Sequence, residues 1–101
     1  MVNKSVELII RPEAEEDIKG AFQFYEDCSK GLGSDFLLSI DAMLSRIQRN
    51  PEIFQKTYKE IRRGLIQRFP YGVFYLAEKE RIVVIGVLHC KRDPKKWQKR
   101  V

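Results

Sequence analysis

Two stretches near the end of the chain, Val73-Phe-Tyr-Leu76 and Ile82 to Leu88, are apolar at nearly every position instead of at alternate ones. A strand with that pattern needs cover on both faces, whereas a half-exposed strand alternates. Glu78-Lys79-Glu80 between them is a tight polar turn, and a connection this short makes the pair antiparallel. With 101 residues the chain is one domain, residues 1–101, and can lay one layer of helix against one sheet. It cannot cover both faces of a wide sheet. Any fold for this sequence must therefore answer what closes the second face.

The rest of the chain supplies the helical layer and the outer strands. Val6 to Ile10 reads as a strand ended by Arg11-Pro12, and Pro12 opens a helix, where its missing N–H is no loss. Glu13, Glu15, Glu16 and Asp17 crowd the first turns, which the helix dipole favours. Ala14, Ile18, Ala21, Phe22 and Tyr25 then form one apolar stripe, and the helix ends before Gly31. A second helix, capped by Gly33 or Ser34, carries Phe36, Leu37, Ile40, Met43, Leu44 and Ile47 until Asn50-Pro51 stops it.

Pro51 to Tyr58 has little period and reads as a loop. Ile61 to Phe69 alternates, with Ile61, Leu65 and Phe69 on one side and Arg62, Ile66 and Arg68 on the other. Asp93-Pro94 ends the last strand, and Lys95 to Arg100 looks like one terminal helical turn. The predicted class is α+β, in the order β-α-α-β-β-β, with a helical hairpin on one face of a mainly antiparallel sheet. The first strand joins an edge of the meander that the sequence does not specify. Two outcomes stand open for the second face. It is a partner site for a helix or strand of another chain, with Arg62 and Arg68 nearby, or the loop and terminal turn close it.

A composition of 44% hydrophobic and 33% charged residues fits a soluble globular protein. The net charge of +5 attracts polyanions: nucleic acid, a ribosome or an acidic protein. Two cysteines, Cys28 and Cys90, are too few for a disulfide framework, and both are expected reduced and buried in a cytoplasmic protein. The apolar run Val6 to Ile10 is shorter than the roughly 7–15 residues of a signal-peptide core. Ile82 to Leu88 falls short of the roughly 20 needed to span a bilayer. Neither export nor membrane insertion is expected.

Chemistry concentrates at the end of the chain. Lys91, Arg92, Lys95, Lys96, Lys99 and Arg100 surround Trp97, a mixture suited to phosphate contact and base stacking. For Trp97 itself, packing against the core is the expected role. His89 is the single histidine, so any acid–base scheme begins there. Its neighbour Cys90 points to the opposite face, which argues against a Cys–His pair. With Cys28 on a distant helix, no zinc site is expected, and there is no glycine-rich phosphate loop. Arg92-Asp93 is read as a salt bridge fixing the exit from the sheet. Arg62, Arg63 and Arg68 flank a strand, where they hold RNA phosphates or an acidic partner segment, or simply protect an edge.

Taken together, Ile61-Arg62-Arg63, then Phe69-Pro70-Tyr71-Gly72-Val73-Phe74-Tyr75, and the ending His89-Cys-Lys-Arg92-Asp93-Pro94-x-x-Trp97 resemble the RelE/ParE toxins. The closer likeness is to the ParE-like, plasmid-stabilisation branch of type II toxin–antitoxin systems, and it covers nearly the whole chain. The resemblance implies a cognate antitoxin whose C-terminal segment wraps the toxin, with the open sheet face as the expected seat. It also implies one of two activities. ParE-like members inhibit DNA gyrase without chemistry of their own or any cofactor. RelE-like members cut mRNA on the ribosome, and His89, Arg62, Arg68 and Arg92 would then form the site. The RelE-like pattern has an arginine where this chain has Gly72, and often a C-terminal tyrosine where the nearest aromatic is Trp97; both departures weigh against the nuclease. The residues expected to meet a target or partner are Arg62, Arg63, Arg68, Tyr75, His89, Arg92, Lys95, Lys96 and Trp97. A third reading is a degenerate toxin retained as an interaction module.

Overall fold

The computed structural model describes residues 6–101. Strand β1 (Glu7–Ile10) leads through Arg11 into helix α1 (Pro12–Cys28), with Pro12 at the first helical position as expected. Helix α2 (Leu32–Arg49) follows after a turn at Gly31, whose φ of 89° lies in the left-handed region that glycine enters without strain. Neither Gly33 nor Ser34 caps α2. The cap comes from α1 instead: the Glu26 carboxylate accepts from Gly31 N at 3.0 and 3.1 Å and from Gly33 N at 3.0 Å. A carboxylate there satisfies N–H groups that no earlier turn can reach, and sits at the positive end of the helix. The stripe Phe36, Ile40, Met43, Leu44 and Ile47 is buried, and Asn50 ends the helix.

The segment read as a loop ends in a short strand, β2 (Lys56–Tyr58). Three residues, two of them exposed, are too few to show a period. Strand β3 (Ile61–Leu65) stops earlier than the alternation suggested. Arg68, at φ 73°, turns the chain, so Ile61 packs on the face away from the helices while Phe69 packs on the face toward them. Strands β4 (Tyr71–Ala77) and β5 (Arg81–His89) follow, then a five-residue helix, α3 (Pro94–Gln98).

The sheet order is β1-β5-β4-β3-β2. The edge question is thereby answered: β1 lies parallel beside β5, Glu7 opposite Arg81 and Ile10 opposite Val84. The other pairs are antiparallel, which gives the α+β arrangement expected. In the central pair, Tyr75 faces Val84 while Phe74 faces Gly86, so Ile85 is an extra residue. One extra residue reverses the alternation. Ile82, Val84 and Val87 accordingly pack toward the helices, and Val83, Ile85 and Leu88 pack away from them.

The chain closes its own second face. Trp97 packs on Phe74, ring centroids 4.6 Å apart, with the Tyr58 ring edge-on at 5.8 Å. Together with Ile61, Val83, Ile85 and Leu88 they form a second, smaller core. The open face expected as a partner seat is therefore covered by the terminal turn, because one tryptophan spans what a full helix would otherwise have to cover. The cysteines correct another expectation, since Cys28 and Cys90 are both free and exposed. Among the described residues no helix is long and apolar enough to cross a membrane.

Candidate functional site

The C-terminal segment is held to the sheet by a charged clamp at the β5 bulge. Arg100 Nη1 donates to Asp17 Oδ2 at 2.6 Å and to the Ile85 carbonyl at 3.0 Å, and its Nη2 donates to Asp17 Oδ1 at 3.3 Å. Asp17 Oδ2 also accepts from Val87 N at 3.0 Å. Two backbone groups of β5 are thus satisfied by side chains, as buried polar groups must be. Gly86 makes room, since a Cβ there would lie 2.8 Å from Arg100 Nη1. Arg11 completes the clamp by donating to the Arg100 carbonyl at 2.9 Å. The hydrogen bond that Arg100 donates to the Asp17 carboxylate holds the Arg100 pKa above its ordinary value.

Before the clamp, the exit from β5 is a compact polar turn. His89 lies opposite Tyr71, ring centroids 5.4 Å apart, and its Nδ1 accepts from Lys91 N at 3.0 Å. The expected Arg92–Asp93 salt bridge does not form. Asp93 caps α3 instead, Oδ1 accepting from Lys95 N at 3.0 Å, which is the usual use of an aspartate before a helical proline. Arg92 lines a cleft with Glu16, Asp17, Phe24 and Tyr71. Burial raises the Tyr71 pKa, and the Arg92 charge opposes that shift.

The remaining candidate residues separate into two kinds. Tyr75 is wholly buried and its hydroxyl donates to the Pro51 carbonyl at 2.7 Å; burial raises its pKa, and its ring is not contact surface. Trp97 is core, as packing predicted. Arg62 tethers the 51–55 segment, donating to the Phe54 carbonyl at 2.7 Å. Arg63 is half-buried, and Arg68 is exposed, 3.5 Å from Asp35 of α2. Lys95 and Lys96 are exposed on α3 beside Arg92. His89, Arg92, Lys95 and Lys96 thus follow one another past the end of β5, while Arg62 and Arg68 are tied to other elements. Among the described residues, no three His, Cys, Asp or Glu side chains come together as a metal site.

Sequence reasoning missed Asp17, Arg100 and Arg11. Asp17 read as one of four acids near a helix start, and nothing in its spacing marks it as a partner for residue 100. It also missed a groove of about 430 Å3 along α2. Leu38, Ala42, Met43 and Ile66 line it, with Arg46, Arg49 and Arg68 around them. Leu38 is 66% exposed.

Comparison with known proteins follows the same outline. No curated protein sequence matches. A solved structure titled "Chromosomal ParDE TA system from P. aeruginosa" superposes with a TM-score of 0.73 at 11% identity, over 86% of this chain and 98% of that one. At that identity the likeness speaks for the fold. A family model described as "ParE toxin of type II toxin-antitoxin system, parDE" matches residues 8–94, from β1 to the first residue of α3. With the match running through α1, α2 and all but the first residue of the sheet, this chain belongs to the ParE toxin family of type II toxin–antitoxin systems.

Proposed function

We propose that this toxin inhibits DNA gyrase by binding, acts in the cytoplasm and is neutralised by a cognate antitoxin. The observation that carries the reading is the ParE family match over residues 8–94. The local geometry supports binding over nuclease chemistry. A nuclease would use His89, Arg62, Arg68 and Arg92 together, yet three of the four are occupied in their own surroundings. Arg62 holds a carbonyl of its neighbouring loop, Arg68 faces Asp35, and His89 takes a backbone N–H from its own turn. A general acid–base needs to reach a substrate proton within hydrogen-bond distance, and a binding inhibitor has no such requirement.

The test is supercoiling and cleavage of plasmid DNA by purified gyrase with the toxin added. Lost supercoiling or trapped cleaved plasmid is the expected result, and His89→Ala is expected to inhibit as well as the unchanged chain. Unaffected gyrase, together with mRNA cleavage on ribosomes that His89→Ala abolishes, would replace this reading with the nuclease.

With the second sheet face closed by α3, the α2 groove is the seat that suits the antitoxin. Its apolar lining and its arginines fit an amphipathic segment with acidic flanks. Leu38→Asp introduces a like charge for such a segment on a residue the fold does not bury. It is expected to weaken antitoxin binding tenfold or more, about 1.4 kcal/mol, with an unchanged melting temperature. Wild-type affinity measured by calorimetry would move the antitoxin off this groove.

A further inference from the structure

The charge of this protein is not spread over it. Residues 89–101 hold six of the 19 Lys and Arg residues and one of the 14 Asp and Glu, so the whole formal excess of +5 lies there and the other 88 residues are neutral. Arg100 is consumed by Asp17, and Asp93 is engaged as a helix cap. Lys91, Lys95, Lys96 and Lys99 are exposed, and among the described residues none has an ion-pair partner.

This is not a loose basic tail. Trp97 is buried, Asp93 caps α3, and the Arg100 carbonyl and side chain are both held. At about 100° per residue, Lys95, Lys96 and the C-cap residue Lys99, itself helical in backbone, fall within about 100° of the α3 circumference, and Trp97 points the opposite way. The fold thus carries three lysines on one face of a held backbone segment, where their like charges repel each other.

We infer that the α3 lysines bind the phosphate backbone of duplex DNA. Lysines are depleted from the centres of protein–protein interfaces, and the exposed large apolar residues lie elsewhere except for Val101 at the chain end. Single-stranded nucleic acid is held by stacking on aromatic faces, but Trp97, the aromatic of this segment, is turned into the core. What remains is a lysine-rich face on a held segment, which matches sequence-independent contact with a row of phosphates. The inference goes beyond gyrase inhibition and takes from it only the choice of DNA over RNA.

The experiment is fluorescence anisotropy of a labelled DNA duplex with the purified full chain and with Lys95→Gln/Lys96→Gln/Lys99→Gln. With about four phosphate contacts, wild-type affinity should fall on the order of a hundredfold between 50 and 200 mM salt, and that of the triple variant only a few-fold. The melting temperature should be the same for both. No binding at 50 mM salt, or an unchanged salt slope in the variant, overturns the inference. So does equally tight binding of an RNA duplex or of polyglutamate, which would assign the face to RNA or to an acidic protein. Gyrase is absent from this measurement, so its outcome is independent of the supercoiling assay.

Discussion

Arg100→Ala should lower the unfolding free energy by about 3 kcal/mol, although it removes a residue next to the chain end. The expectation follows from what the side chain leaves behind. Asp17 and Arg100 side chains are only 12% and 18% exposed, so removing the guanidinium strands a carboxylate in poor contact with water and frees the Ile85 carbonyl. Breaking a buried pair from one side costs about 3–5 kcal/mol, and an unsatisfied buried polar group about 1–3. Partial exposure places this pair at the lower end. For a domain of this size the loss corresponds to a melting temperature lower by roughly 10–20 °C. Asp17→Ala should do comparable damage by leaving Val87 N and the guanidinium without their acceptor. The double variant should lose less than the sum, by about 1–2 kcal/mol, because the two side chains act on each other. Urea denaturation of the four proteins checks this, and strict additivity would show that the clamp is not a coupled unit.

Trp97→Ala is expected to cost about 3 kcal/mol and to change how the protein behaves in solution. Truncating a buried tryptophan removes apolar contact and leaves a cavity, typically about 3–5 kcal/mol. Here the loss is bounded by the free energy with which α3 docks, since a terminal element can detach before the rest unfolds. Detachment would uncover Phe74, Ile85 and Leu88, which are 3%, 0% and 2% exposed. A contiguous apolar patch of that kind promotes association. The variant should therefore self-associate in sedimentation experiments at concentrations where the parent does not. Trp97→Phe, which keeps a ring over Phe74, should lose no more than about 1.5 kcal/mol. A monomeric alanine variant of parental stability would mean that α3 does not seal the sheet.

These two sites also show what the sequence could and could not reveal. The helical hairpin was legible because Phe36, Ile40, Met43, Leu44 and Ile47 repeat at helical spacing, and all five are buried. The central strands were legible as apolar on both faces. Which residue faced which core was not, because the extra residue at Ile85 shifts the phase and no local pattern announces a bulge. The position of β1 was equally hidden, since an edge is chosen by packing over the whole sheet. Residues with two plausible uses were the hardest to place. Asp17 suited a helix start and turned out to complete a strand; Asp93 suited a salt bridge and turned out to cap a helix. For the candidate site, half-buried His89 and exposed Arg92, Lys95 and Lys96 stand together as neighbours in sequence, whereas the α2 groove draws on residues from 35 to 68. Linear reading finds the first kind of surface and not the second.

The clamp joins the two ends of the polypeptide: Arg11 and Asp17 near its start bind residue 100 near its finish. Strand β1 likewise waits for β5, with Glu7 opposite Arg81. Pairings this far apart in sequence form late and slowly, because a long loop must close before any contact rewards it. During synthesis the helical hairpin can form as soon as it emerges, but the sheet lacks its central strand, and residues 94–100 cannot seat before β4 and β5 have been made. A ribosome making this chain therefore carries its first strand unpaired until β5 has emerged.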